Sequence, residues 1–403
     1  MTVQTISEPP VERSARKDRV AARVRGVAPS GIRRFFELIQ TMDDVISLGV
    51  GEPDFTTPWH IREAAIYSLE RGFTMYTSNL GLIELRRALA DHLALRYGVA
   101  YDPGDEILIT FGVSEGLDLA MRAILDPGDE VLVPDPGYVS YAPCVTFAGG
   151  VVRPVPTSAT DGFRPRPADF ADRVTTTTRA VLLGYPNNPT GTAPNRETLS
   201  AIAQVVAEHD LIAVSDEIYD RLIYGREHVC FASLPEMRDR TILLGGFSKA
   251  YAMTGWRVGY AAAPRDLLAG MLKIHQYTAL CASITSQMAA IEALKNGEAA
   301  VTSMVEEYDR RRRVIVKGLN DVGLTCHDPE GAFYAFPSTM ATGQSDEEFA
   351  EHLLLEEHVA VVPGSAFGAC GRNHVRCCYA TSLPQIEEAL RRIDTYVKRK
   401  RQG

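Results

Sequence analysis

The 403-residue sequence has no apolar run long enough to cross a bilayer, and its first thirty residues lack a hydrophobic signal core. A membrane anchor and a secretory leader are therefore not expected, and the protein should stay in the compartment where it is made. Its seven cysteines, Cys144, Cys230, Cys281, Cys326, Cys370, Cys377 and Cys378, include no Cys-x-x-Cys pair and no Cys/His spacing suited to zinc. That pattern fits a reduced, cytoplasmic setting with no metal site. The adjacent Cys377 and Cys378 read as buried thiols on opposite faces of one strand. An excess of basic charge is also missing: 51 acidic against 42 basic residues leave a net charge of -9, so bulk charge offers nucleic acid no footprint. Neither an internal repeat nor a low-complexity linker divides the chain. Arg13, Arg16, Lys17, Arg19, Arg23 and Arg25 superficially suit a transit peptide, but Glu8, Glu12 and Asp18 interrupt the run, which favours a mobile N-terminal arm.

What the chain does have is the composition of a soluble globular enzyme, 45% hydrophobic and 23% charged, at a length that suits one large domain with a smaller companion. Short apolar runs at 107–110, 130–133, 180–183, 211–214, 241–244 and 258–262 alternate with helical patterns, which predicts an α/β fold around a mostly parallel sheet buried on both faces. Pro58 after Thr57 marks a helix start, and Asp126-Pro127-Gly128 closes a helix carrying Leu117, Ala120, Met121 and Ile124. A long charged helix is expected from Tyr308 onward, with Glu306 and Glu307 pairing to Arg310 and Arg311 and the four arginines 310–313 forming a solvated face. Runs at 331–336, 360–363 and 374–380 predict strands of a smaller domain, closed by a helix through Ile386, Leu390 and Ile393, with Lys398–Arg401 a solvated terminus. The expected division is an N-terminal arm and part of the small domain at 1–60, a large domain at 61–300 and a C-terminal small domain at 301–403.

The strongest chemical signal is Gly246-Phe247-Ser248-Lys249, after an apolar strand and before Met253-Thr254-Gly255-Trp256-Arg257-Val258-Gly259. A lysine desolvated at a strand exit has a lowered pKa and a free amine able to form an imine, although a lone lysine there is more often a solvated loop residue. Its company argues against the bland reading. Asp216 ends another apolar strand, where a carboxylate needs a cation such as a protonated pyridine nitrogen, a helix cap being its ordinary alternative. Tyr219, and Asn188 in Pro186-Asn187-Asn188-Pro189-Thr190-Gly191, can donate to a phenolic oxygen on the same ring. Gly112-Val113-Ser114-Glu115-Gly116 joins a strand to an amphipathic helix, offering backbone amides and the Ser114 hydroxyl to a phosphate, and Arg257 adds a two-pronged charge. Tyr138 begins the next helix and can stack on a ring face or simply pack in the core. Arg376, inside a short strand, holds a substrate carboxylate if it points into the cleft and snorkels to water if it does not.

These motifs, from Ser47-Leu48-Gly49-Val50-Gly51-Glu52-Pro53-Asp54-Phe55 to Pro363-Gly364-Ser365-Ala366-Phe367 and Arg376, resemble the class I aminotransferases of fold type I over nearly the whole chain. The resemblance implies pyridoxal 5'-phosphate as cofactor, a Schiff base on Lys249, and amino-acid and 2-oxo-acid substrates. It implies cofactor contacts at Val113, Ser114, Glu115, Tyr138, Asn188, Asp216, Tyr219, Ser248 and Arg257, and substrate contacts at Gly51, Asn188 and Arg376. It also implies a homodimer in which Tyr76 of one subunit reaches its neighbour's phosphate. Two departures stand out: many relatives carry serine where this chain has Gly246, and no arginine stands near Ile274-His275-Gln276-Tyr277, where some aspartate-specific relatives place one to read a distal carboxylate. The stretch Ser30–Phe36 is similar to prokaryotic and archaeal aspartate and aromatic aminotransferases, which makes Arg33 or Arg34 a candidate contact for a side-chain carboxylate, although solvated arginines are the favoured reading of both.

The expected activity is transfer of an amino group from an L-amino acid, aspartate or aromatic, to a 2-oxo acid such as 2-oxoglutarate. Cofactor motifs alone leave open a C–S β-lyase on the same scaffold. A cofactor-binding regulatory protein is the other alternative, and the roughly thirty residues before the matching region are few for a DNA-binding module.

Overall fold

The computed structural model of the protein describes residues 19–28 and 42–402. Arg13, Arg16, Lys17 and the Ser30–Phe36 stretch with Arg33 and Arg34 lie outside the described residues. At the centre is a seven-stranded sheet of β1 (Ile107–Thr110), β2 (Glu130–Asp135), β3 (Val151–Pro156), β4 (Thr178–Gly184), β5 (Ile212–Asp216), β6 (Thr241–Gly246) and β7 (Gly259–Ala262). Their spatial order is β1-β7-β6-β5-β4-β2-β3; β7 runs antiparallel to both neighbours and the other pairs are parallel.

Alternation explains why the strands read as unbroken apolar runs. Ala180 and Leu182 pack with helices Val113–Ile124 and Arg265–Thr278 on one face, while Val181 and Leu183 pack with helix Arg196–Glu208 on the other. All six expected strands form. The seventh strand, β3, has no such run: it is an edge strand with half of its residues exposed and carries Pro154 and Pro156, so its pattern lacks the apolar signal of a buried strand.

A second, three-stranded antiparallel sheet is ordered Val362–Pro363, Val375–Cys378, Tyr334–Ala335, each strand shorter than its sequence run. Ile46–Ser47 pairs in parallel with Val359–Ala360, tying the N-terminal segment to the C-terminal part of the chain. Cys377 and Cys378 are both buried, and none of the seven cysteines is bonded to another. Among the described residues no helix is long and apolar enough to cross a membrane.

Two local expectations need correction. The charged helix starts at Glu298, ten residues before Tyr308, because the apolar stripe continues back through Met304 and Val301. Its arginines are not one solvated face: Arg311 is buried and paired to Asp54 and Glu307, Arg312 pairs with Asp309 and Asp328, and Arg310 meets Glu307 rather than Glu306. The terminal basic run, by contrast, is a solvated terminus as expected: it is helical to Gln402, Lys398, Arg399 and Arg401 are exposed, and Arg399 and Lys400 both pair at the surface with Glu356.

Candidate active site

Asp135, Gly184, Asp216 and Gly246 are the last residues of β2, β4, β5 and β6, so the carboxyl ends of four adjacent parallel strands open on one side of the sheet. A cavity of about 570 Å³ lies there. It brings together Gly51, Val113, Ser114, Tyr138, Asn188, Asp216, Tyr219, Ser248, Lys249, Arg257 and Arg376.

Lys249 leaves the sheet three residues after β6. Its Nζ donates to the Gly51 carbonyl at 2.6 Å and lies 5.8 and 5.6 Å from the ring centres of Tyr219 and Phe333. Burial in this ring-lined setting lowers its pKa to about 8, so a useful fraction of the amine is neutral near physiological pH. A side chain at position 51 would crowd this arrangement, since a Cβ there would sit 2.5 Å from Tyr334 Oη.

Asp216 shows the opposite perturbation. It is 5% exposed, and burial raises its pKa to about 6 against the bonds donated by Ile218 N at 3.2 Å and Tyr141 Oη at 3.0 Å. No cation contacts it among the described residues. A buried carboxylate in that state is a receptor for a positively charged partner.

Arg376 does point into the cleft. Its Nη1 donates to Asn188 Oδ1 at 2.8 Å and its Nη2 to Gly49 O at 2.7 Å, while its buried Nε has no partner among the described residues. Tyr334 and Phe367 flank the guanidinium, with ring centres 4.5 and 4.9 Å away. Across the cavity, Gly112 at φ +78° caps the helix Val113–Ile124, leaving its first amides open. Arg257 stands beside that helix end: its Nη1 donates to Thr254 O at 2.8 Å, and a Cβ on Gly112 would meet its Nη2 at 2.7 Å. Arg257 holds a left-handed backbone, φ +51°.

Some expected residues sit elsewhere. Glu115 does not line the cavity; its carboxylate accepts from Phe111 N at 2.7 Å and meets buried His275 Nδ1 at 2.9 Å. Tyr76 is 79% exposed and also outside the cavity; Trp59, Tyr67, Leu69, Met75 and Tyr277 are further large apolar side chains left exposed. Tyr138 lines the cavity but precedes its helix, which begins at Tyr141. Gly246 ends β6 without lining the cavity, whereas Ser248 does.

Two further tyrosines shape the site without a sequence motif of their own. Tyr141 bonds Asp216, and Tyr334 shares a 2.7 Å hydroxyl contact with Tyr219 while covering Arg376. Tyr141 repeats Tyr138 at a spacing of three, a signal that was available. Tyr334 lies in an apolar run that reads as core.

Residues 43–393 match the model of the family "Aminotransferase class I and II". Aspartate aminotransferase of Pyrococcus abyssi is 44% identical, the alignment covering 93% of this chain and 97% of that protein. Aromatic-amino-acid aminotransferase 2 of Thermococcus litoralis is 43% identical over 94% and 98% of the two chains. The solved structure of aspartate aminotransferase from Thermus thermophilus with maleate superposes with a TM-score of 0.89 at 39% identity, covering 93% of this chain and 99% of that one.

Proposed function

Because the chain belongs to the class I and II aminotransferases, a pyridoxal-phosphate-dependent family of enzymes, we propose that it takes aspartate or an aromatic amino acid as donor and 2-oxoglutarate as acceptor, with Lys249 as its reactive amine. One observation carries the assignment of roles: a lysine whose amine is partly neutral and a buried carboxylate that meets no cation among the described residues face the same cavity.

The residues fit the cofactor. Asp216 would meet the pyridine nitrogen, Asn188 and Tyr219 the phenolic oxygen, Tyr138 a ring face, and the amides of Val113, Ser114 and Glu115 with the Ser114 and Ser248 hydroxyls and Arg257 the phosphate. Glu115 contributes through its backbone, its carboxylate being committed to Phe111 N and His275. When bound, pyridoxal phosphate supplies an aldehyde that condenses with amines and a ring that takes up the electron pair of the substrate's Cα–H bond.

The chain's own residues do the rest. Arg376 receives the substrate α-carboxylate, its Nε, which has no partner among the described residues, being a donor already desolvated for the purpose. Asn188 holds one side of that guanidinium and the Gly49 carbonyl another, so the fork stays fixed before substrate arrives. Lys249 Nζ takes the proton from the substrate Cα, a task its lowered pKa suits. Phe333 and the Tyr219–Tyr334 pair keep water from that nitrogen.

The working unit is a homodimer whose partner supplies Tyr76. The exposure of several large apolar side chains, Trp59, Tyr67, Leu69, Met75 and Tyr277, together with Tyr76 itself, supports that reading. The division at 1–60, 61–300 and 301–403 is supported by the Ile46–Val359 pairing and by the separate three-stranded sheet. A cytoplasmic location is consistent with seven unbonded cysteines.

A panel of amino acids assayed against 2-oxoglutarate, with product formation as readout, tests the donor assignment. Aspartate or an aromatic amino acid should lead the panel, and a preference for neither would overturn it. Release of pyruvate and ammonia from cystathionine without an oxo acid would instead favour the lyase. Lys249→Ala should abolish turnover while the protein still binds free cofactor, and wild-type-like transamination by that variant would sink the role given to Lys249.

A further inference from the structure

Four consecutive arginines part company in the helix Glu298–Asp321. Arg310 and Arg313 are 70% and 72% exposed, whereas Arg311 is 7% exposed. A guanidinium that deep is costly unless charges and rings meet it. Arg311 Nη1 bonds Asp54 Oδ1 at 2.8 Å, its Nε bonds Glu307 Oε1 at 2.9 Å, and it lies 5.2 and 5.7 Å from the ring centres of Phe55 and Tyr308. Glu307 is one turn back on the same helix and ties Arg311 to nothing else. Asp54, 257 residues away in sequence, is the tether.

The segment 51–57 lies between Arg311 and the loop that carries Lys249. Gly51 O accepts from Lys249 Nζ at 2.6 Å, Glu52 Oε2 accepts from Thr254 Oγ1 at 3.2 Å, and Thr57 Oγ1 donates to Ala252 O at 2.6 Å. A second route runs through rings. Phe55 meets Tyr308 at 5.4 Å, Tyr308 meets Phe333 at 5.5 Å, and the Phe333 ring lies 5.6 Å from Lys249 Nζ. Both routes lead from Arg311 to the same nitrogen.

We infer that Arg311 is a positioning residue for Lys249, clamping segment 51–55 from outside so that the Gly51 carbonyl and the Phe333 ring close over the amine and keep water away. Arg311 itself does not line the cavity. The inference rests on Lys249 being the reactive amine, so the test reads that amine directly and without turnover.

The cofactor-free protein is treated with acetic anhydride across a pH range, and acetylation of Lys249 is followed by mass spectrometry against Lys273 and Lys295. Wild-type Lys249 should become reactive near pH 8, well below the ordinary lysine value of 10.5. Arg311→Met should move that profile towards the reference lysines, and kcat of the loaded enzyme should fall about tenfold to hundredfold. KM for the amino acid should change little, since Arg376 is untouched. Arg311→Lys, which keeps the charge without the fork, should recover part of both effects. Arg310→Met should change neither.

If Arg311→Met does not fold, Asp54→Asn severs the same tether from the other side and must shift the Lys249 profile in the same direction. An unshifted profile in a folded Arg311→Met or Asp54→Asn variant overturns the inference, even if stability falls. A wild-type Lys249 that reacts like the reference lysines would instead overturn the underlying assignment of the amine, and the clamp with it.

Discussion

Tyr141 Oη donates to Asp216 Oδ2 at 3.0 Å, with both side chains buried at the carboxyl end of β5. Burial, then the neighbouring Asp216 charge, raises the Tyr141 pKa well above 10, so the phenol remains a donor at any working pH. Asp216 is thereby kept more acidic than burial alone would leave it. Tyr141→Phe removes the bond and conserves the ring. Cofactor affinity, measured by absorbance titration, should weaken about tenfold, the effect of roughly 1.4 kcal/mol for a hydrogen bond to a charged group. Unchanged affinity would mean that Tyr141 only packs.

Asp216 also makes a pH-dependent stability prediction. Its folded pKa of about 6 lies above the ordinary 3.8, so the carboxyl favours the fold only while protonated and that contribution is lost as pH rises through 6. At neutral pH the cofactor-free protein should carry a cost on the order of 3 kcal/mol from this one group. Cofactor-free Asp216→Asn should therefore melt at higher temperature than wild type at pH 7.5, with the difference shrinking towards pH 4.5, while its cofactor affinity falls sharply. A melting-point difference that does not vary with pH would contradict the assignment.

Gly51→Ala tests the close approach at the reactive amine. The new Cβ would sit 2.5 Å from Tyr334 Oη, whose hydroxyl is already held at 2.7 Å by Tyr219. Overpacking of that kind costs about 1–3 kcal/mol. We expect a lower melting temperature together with a fall in kcat, because the carbonyl that accepts from Lys249 must shift. A fully active, fully stable variant would show that Tyr334 yields freely.

Subunit sharing is tested by mixing two inactive proteins. Lys249→Ala and Tyr76→Ala, refolded together in equal amounts, should regain about a quarter of wild-type activity, since half the dimers are mixed and each of those has one intact site. No recovery would place Tyr76 outside its neighbour's site.

Legibility followed sequence distance. Lys249 and Arg257 are eight positions apart on one loop, and their apolar flanks announced a strand exit, so the centre of the site was readable before any geometry. The contacts that shape it were not. Arg311 looked like one of four solvated arginines because Asp54, which neutralises it, is 257 residues away. Tyr334 looked like core because it is 1% exposed, yet its hydroxyl meets Tyr219 and its ring covers Arg376. For Glu115 the glycine turn pointed to a backbone contact and said nothing of where its carboxylate goes. Its side chain folds back to Phe111 N and His275, a choice that depends on a helix 160 residues away. β3 went unseen for the opposite reason: an exposed edge strand needs no apolar pattern.

Arg257 holds its guanidinium on a backbone at φ +51°, a region most side chains avoid at roughly 1–2 kcal/mol per residue. A glycine there would relax the loop and discard the charge; an asparagine at 216 would likewise relieve a buried carboxylate. Both changes should be recovered early by any laboratory selection for heat resistance alone, and both should disable the enzyme. Thermostabilising libraries for this scaffold should therefore hold positions 216 and 257 constant.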